Sequence, residues 1–252
     1  MLDQIDLTRV MVLDVETVPQ KKSYSELDDT WKALWEKKMK FKIPDDKTGG
    51  DVYDQAGIYA EFGKIVCISC GVFTKDNTFR IKSFYGDDEK VLIEEFSEML
   101  NKNLSADDNY LCAHNGKEFD FPYIARRCII NGLKIPEILD NSGKKPWEIK
   151  NLDTMDMWKF GDYKSYTSLI LLAGALGIKS PKDDIDGSDV WRIFWEENDL
   201  KRIVKYCQKD VVTVAQILLR FKRLELLNDS DIIFADQEID NESKFSDTET
   251  KE

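Results

Sequence analysis

"LTRVMVLDVE" (residues 7–16) decides how the chain reads: an apolar run of strand character that leads into acid. Within "MVLDVET" (11–17), Asp14 and Glu16 stand two apart, so on a strand both side chains leave the same face. Two like charges that close raise each other's pKa or demand a cation between them. Taken alone, the pair reads more simply as solvated acids at a strand end.

Outward from this strand, "KIVCISCGVFT" and "TFRIKSFYG" are two further strands, and the short turn at residues 75–77 makes them a hairpin. "DDEKVLIEEFSEMLNK" is an amphipathic helix capped by Asp87 or Asp88. "NYLCAHN" is a strand and "FPYIARRCIIN" a helix, which Gly132 stops. Later helices fall at about 168–176 and 199–227. Strands first, then strands alternating with helices, predict an α/β fold, a mixed sheet of five to six strands flanked by helices in one domain. That domain is expected over residues 1–227, with an insert at about 19–62 made of a helix near 25–40 and a Gly-rich loop. From residue 228 the chain carries nine acidic and two basic residues and is expected to be a disordered acidic tail, although "DIIFA" is apolar enough to dock.

Two more stretches carry chemistry. In "CAHNGKEFDFPYI" a strand ends at His114, a short loop holds Asn115 and Gly116, and Asp120 stands before a helix. Asp120 reads equally as that helix's N-cap, with Pro122 in the first turn. In "IVKYCQKDVVTVAQILLRF", Leu200, Ile203, Cys207, Val211, Val214 and Leu218 trace one buried helical stripe. Tyr206 and Asp210, one turn apart, lie beside it.

Composition sets the bounds. The 252 residues, 42 % apolar and 33 % charged, describe an ordinary globular chain. No apolar run approaches the roughly 20 residues of a membrane span, and "MLDQIDLTRV" lacks the pattern of a signal peptide, so a cytoplasmic location is expected. Five scattered cysteines, an odd number, read as buried free thiols; Cys67 and Cys70, three apart on a strand, point to opposite faces and cannot share a metal. The net charge of −12 argues against broad electrostatic binding of nucleic acid, but −7 of it lies from residue 228 onward.

In this order, Asp14, Glu16, Asp120 and Asp210, with Tyr206 four residues before the last acid, resemble the DEDD exonucleases of the ribonuclease H-like superfamily, in the branch that uses tyrosine. "N-x-x-x-F-D" (Asn115 to Asp120), "GKIVCISCG", "NLDTMDMWKFGD", "SPKDDIDGSDV" and "IVKYCQKDVV" extend the likeness to predicted 3′-5′ exonucleases related to the exonuclease domain of family B DNA polymerases. The resemblance covers residues 10–225 and implies a metal-dependent 3′-5′ exonuclease, freestanding because no polymerase region follows. It implies two divalent ions, Mg²⁺ or Mn²⁺, whose hard character suits carboxylate oxygens. Asp14 would bridge both ions, Glu16 and Asp210 would hold the one carrying the attacking water, Asp120 would contact the second, and Tyr206 would orient the water. Thr17, Asn115 and Phe119 are candidate contacts to the substrate end. The implied partner is a single-stranded 3′ end, DNA favoured over RNA, with a role in DNA repair expected and any partner polymerase undefined. RNA 3′-end trimming and a non-catalytic nucleic-acid-binding module are the alternatives; the latter would lack an acid or the tyrosine, and none is lacking.

The histidine-using branch places its histidine five residues before the last acid, where this chain has Lys205; His114, the single histidine, is expected to be structural. "WKALWEKKMKFK" (31–42) is basic and aromatic, with Trp31, Leu34, Trp35 and Met39 at helical spacing to cover the sheet and Lys37, Lys38, Lys40 and Lys42 left to meet phosphates. Arg126, Arg127 and "KSPK" (179–182) are weaker phosphate candidates. Asp153 and Asp156 are expected in loop and capping roles.

Overall fold

The computed structural model describes residues 2–44, 46–162, 164–179 and 185–235. Its centre is a six-stranded mixed sheet ordered β5-β4-β1-β2-β3-β6. The strands are β1 (Val10–Pro19), β2 (Gly63–Phe73), β3 (Phe79–Tyr85), β4 (Tyr110–Ala113), β5 (Leu152–Asp153) and β6 (Ile232–Phe234). β2 runs antiparallel to β1 and β3, while β4 lies parallel to β1 and β5, and β6 parallel to β3.

Strand alternation divides the core. Met11, Leu13 and Val15 face α2 (Glu89–Asn103) and α3 (Asp120–Ile130), burying Leu92, Phe96, Phe121 and Ile124 between them. Val10 and Val12 face the long helix α7 (Leu200–Phe221), which follows α5 (Leu169–Ala175) and the short α6 (Val190–Arg192), through Val211, Val214 and Leu218. Asp14 and Glu16 therefore lie on the α7 side, where the even positions of β1 point. Cys67 and Cys70 join different clusters on the two sides of the sheet, and all five cysteines are buried and free. No described helix is long and apolar enough to cross a membrane.

Caps mark the helix starts. Asp88 accepts from Lys90 N at 3.0 Å before α2, and Asp199 from Arg202 N at 3.1 Å before α7. Asp120, by contrast, is the first residue of α3 rather than its cap: Phe119 holds that position and its side chain caps nothing.

The insert differs from its sequence reading. α1 (Asp29–Met39) buries Trp35 and Met39, but Leu34 is exposed, and the apolar side covers no strand. It packs instead on Val52, Tyr53 and Ala56 of a 3₁₀ helix (Gly50–Ile58) that occupies the expected Gly-rich loop. A Cβ on Gly57 would come within 3.2 Å of the backbone of Thr17 and Val18, so the glycine lets this helix seat closely on β1.

The chain also stays ordered past residue 227. Leu227 N donates to Gln216 Oε1 at 3.0 Å while Gln216 Nε2 donates to Leu227 O at 2.9 Å, and Ile232 and Phe234 join the core beside Phe79 and Ile81. The expected tail boundary at 228 thus falls short: "DIIFA" supplies the edge strand, because three consecutive apolar residues find an open β3 edge beside an apolar cluster. Residues 236–252, with most of the acidic tail, and 180–182 of "KSPK" lie outside the described residues.

Candidate active site

Three elements converge on the middle of β1, which runs on past the acids to Pro19. Asp14 and Glu16 leave one face of β1, Asp120 opens α3, and Tyr206 and Asp210 lie on the first half of α7. The loop from Ala113 to Asp120 is drawn tight: a Cβ on Gly116 would stand 2.4 Å from that of Ala113. Asn115 takes a left-handed conformation, φ 63°. The buried Asp153 carboxylate pins this loop, accepting from Asn115 N at 3.0 Å and Lys117 N at 3.1 Å while capping α4 (Thr154–Lys159) through Met155 N at 2.9 Å. His114 serves the same loop. Its Nε2 donates to Thr167 O and its Nδ1 accepts from Thr154 Oγ1, both at 2.9 Å, and burial lowers its pKa, so the ring is neutral.

The acids act on one another. Burial, then the charge of Asp120, raises the Asp14 carboxyl to about 7. Burial, then Asp14 and Asp210, raises Glu16 well above the ordinary range. Asp120 is raised to about 7, by burial first and by Asp153 and Asp210 in addition. The Tyr206 phenol is pushed far above 10 by burial and by Asp210, Glu16 and Asp14, and it hydrogen-bonds to Asp210. It is therefore a hydrogen-bonding hydroxyl at neutral pH, not a phenolate.

A divalent cation fits this donor set. Buried carboxylates that repel one another are the ligands that hard cations select. Among the described residues, the one group of three donor atoms within 4.8 Å of one another is Asp14, Glu16 and Cys207. Burial holds the Cys207 thiol protonated; it donates to the Asp14 carbonyl at 3.4 Å and also reaches the Asp14 carboxylate, so it accompanies the acids without being an ionised ligand. Asp120 and Asp210 stand outside that tightest group yet close enough to raise their neighbours.

Sequence reading missed how α7 is seated. Gln208 Nε2 donates to Ser83 Oγ at 2.9 Å, Ser83 Oγ bonds Ser69 Oγ at 2.9 Å, and Ser69 lies 3.6 Å from Cys67 Sγ, which in turn hydrogen-bonds Cys207. The register puts Asp14 opposite Ser69 and Glu16 opposite Cys67, so this polar chain lies directly beside the acids. Its one sequence signal was polar residues inside otherwise apolar strands.

Other candidates sort plainly. The Phe119 ring is partly buried and tilts against Tyr123 at 5.2 Å, a packing role. Thr17 is half-buried beside Glu16 and bonds the Tyr123 hydroxyl. The buried amide oxygen of Asn115 has no partner among the described residues. Arg127 is not a phosphate ligand: buried, it grips both oxygens of Glu89 and donates to Ala60 O at 2.8 Å. Arg126 lines a surface groove of about 740 Å³ with Lys117 and Lys144. Asp156 pairs with Lys117 at 2.7 Å.

Comparisons with known proteins agree with the architecture. No curated protein matches the chain. The family B DNA polymerase from the hyperthermophilic archaeon Pyrobaculum calidifontis is a structural neighbour with TM-score 0.51 and 16 % identity, covering 83 % of this chain and 24 % of the polymerase. The likeness is one of fold, and the chain spans about a quarter of that polymerase's length. A family described as "Predicted 3'-5' exonuclease related to the exonuclease domain of PolB" matches residues 58–239, a span that includes Asp120, Tyr206 and Asp210; Asp14 and Glu16 precede it. With most of its length matched, the chain belongs to this family of predicted 3′-5′ exonucleases.

Proposed function

We propose that the protein is a metal-dependent exonuclease that removes nucleoside monophosphates one at a time from the 3′ end of DNA, single strands preferred. One observation carries the reading: β1, α3 and α7 bring four acids and a protonated phenol to one place. Family membership supports the direction of hydrolysis, and kinship with a polymerase domain supports DNA as substrate.

Asp14, Glu16, Asp120 and Asp210 would hold two divalent ions, which supply charge neutralisation at the phosphate and activation of water. The residues themselves do the positioning. Asp14 and Glu16 are fixed by the sheet, whose register sets their spacing. Asp120 is held by the loop that Asp153 and His114 pin. Tyr206, bonded to Asp210 and unable to ionise near neutral pH, holds a water by hydrogen bonding rather than by removing its proton. Asn115, with an unmatched buried amide oxygen, and Thr17, next to Glu16, would contact the terminal nucleotide, while Phe119 packs on Tyr123.

Matched DNA and RNA strands labelled at the 5′ end, incubated with Mg²⁺ or Mn²⁺, test the proposal. A descending ladder on DNA, absent for Asp210→Asn, is expected. Faster shortening of RNA would shift the substrate to RNA trimming. Cleavage of a circular single strand, or no shortening of either strand, would sink the proposal.

A further inference from the structure

The insert carries the densest positive charge in an acidic chain. Residues 37–44, "KKMKFKIP", hold four lysines and no acid, and the chain as a whole is −12. All four lysines are exposed, as is Lys47. Phe41 among them, in the turn after α1, is 92 % exposed, with Lys40 Nζ over its ring at 5.5 Å. The nearest acid on α1, Glu36, accepts from Tyr24 Oη at 3.0 Å and is engaged there. Lys37, Lys40 and Lys47 line a shallow groove of about 520 Å³ together with Glu36, Ile43 and Pro44, so three positive charges outnumber one negative there. Lys38 and Lys42 stack over the Tyr59 ring at 4.9 and 5.1 Å, which leaves Lys37, Lys40 and Lys47 as the lysines facing the groove.

This patch is tied to the active-site end of the sheet. The insert leaves β1 at Pro19, three residues past Glu16, and returns opposite it, since Gly63 pairs with Pro19. Tyr123, in the first turns of the helix that Asp120 opens, donates to Gly57 O at 2.6 Å. Trp195 donates to Pro19 O at 3.0 Å. The insert is thus clamped between the strand and the helix that carry the acids.

We infer that the insert is a second contact for the substrate strand: Lys37, Lys40 and Lys47 take backbone phosphates and Phe41 stacks on a base, upstream of the nucleotide being removed. An exposed aromatic among clustered lysines suits single-stranded nucleic acid, which offers a charged backbone and unstacked base faces together. A duplex would hide those faces. The inference rests on the exonuclease reading above and deepens it.

The test uses the full chain, Lys37→Glu/Lys40→Glu and Phe41→Ala, all outside the catalytic residues. Binding of a fluorescent 20-nucleotide oligo-dT is followed by anisotropy in EDTA over a range of salt. Hydrolysis of the p-nitrophenyl ester of thymidine 5′-phosphate, too small to reach the insert, reports the acids alone. The double variant should lower the slope of log K against log[salt] by about 1.4, at ~0.7 for each phosphate no longer neutralised. Phe41→Ala should weaken binding at least about 5-fold. Ester hydrolysis should match wild type in both. Unchanged slope and affinity, or ester hydrolysis falling in step with binding, overturns the inference. Binding that changes as expected in a protein that hydrolyses neither ester nor strand keeps the contact and removes the exonuclease reading instead.

Discussion

Replacing Asp14 by asparagine tests whether the acids are held together against their own repulsion. Burial, followed by the charge of Asp120, moves this carboxyl from 3.8 to about 7. At about 1.4 kcal/mol per unit, the ionised side chain is disfavoured by at most about 4 kcal/mol. The residue is only partly buried, so water screens part of that. A gain of about 1–2 kcal/mol for Asp14→Asn at pH 8 is expected, which for a chain of this size means roughly 2–8 °C in Tm. The sign follows from proton binding. With the folded pKa above the unfolded one, the folded chain holds more protons between about pH 4 and 7, so stability falls as pH rises through that window and is level above it. Asp120, also raised to about 7, adds in the same direction. Wild type in EDTA should therefore melt lower at pH 8 than at pH 6, and the variant should depend less on pH. Mg²⁺ or Mn²⁺ at pH 8 should raise the Tm of wild type more than that of the variant, and the variant should not hydrolyse DNA. Melting curves in EDTA and in metal at both pH values decide it. A variant that melts below wild type in EDTA at pH 8 refutes the repulsion, and a wild type indifferent to both metals refutes the cation site.

Tyr206→Phe should lower kcat toward the lower end of roughly 10²–10⁴-fold, less than Asp210→Asn does, with Tm moved only by the loss of one hydrogen bond; equal steady-state rates at saturating Mg²⁺ would assign the phenol to packing. Glu89→Ala leaves Arg127 buried without its partner and takes away the acceptor of Ile65 N, so a loss of about 3–5 kcal/mol is expected in denaturant titration. A change below about 1 kcal/mol there would show that the pair is solvated in solution. Truncation after residue 228 removes β6 and the partial burial of Ile232, Ile233 and Phe234, about 2–4 kcal/mol, and opens the β3 edge to association. Truncation after residue 235 should do neither, and an identical Tm for both truncations by calorimetry would show that β6 contributes nothing.

Most of the framework was legible because its signals are local. β1 to β3 and helices α2, α3 and α7 announce themselves by period and by caps such as Asp88 and Asp199, and the structure places them within a few residues of the sequence reading, except that α7 ends at Phe221 rather than 227, where Arg223 turns left-handed (φ 59°). What was not legible depends on partners far along the chain. β5 is two residues long and exists because Leu152 and Asp153 pair with Cys112 and Ala113. β6 is three apolar residues among acids, and only the open edge of β3 makes them a strand. Residues 190–197 form a helical turn that relaxes into a π turn, which no period predicts. The same division holds at the site. The acids and the phenol could be picked out by type and spacing, but the use of Asp153 as the staple of the Asp120 loop required its contacts across 36 to 38 residues.

The seating of α7 shows why such a site is built around neutral polar groups. The helix must hold Tyr206 and Asp210 at a fixed height against β1, yet its contact face is apolar, and apolar packing alone tolerates small sliding. A charged pair at that contact would lie against Glu16 and alter the acids' own affinity for a cation. Serine, glutamine and thiol groups fix the height without that charge. Gln208 to Ser83 and Ser69 locks the helix to β3 and β2, and Cys207 to the Asp14 carbonyl locks it to β1. Each bond is directional and contributes about 1 kcal/mol at most, but a slip of one turn would break all of them and leave their groups buried and unpaired. The network therefore sets position more than stability, and position is what acids and phenol delivered from separate elements need.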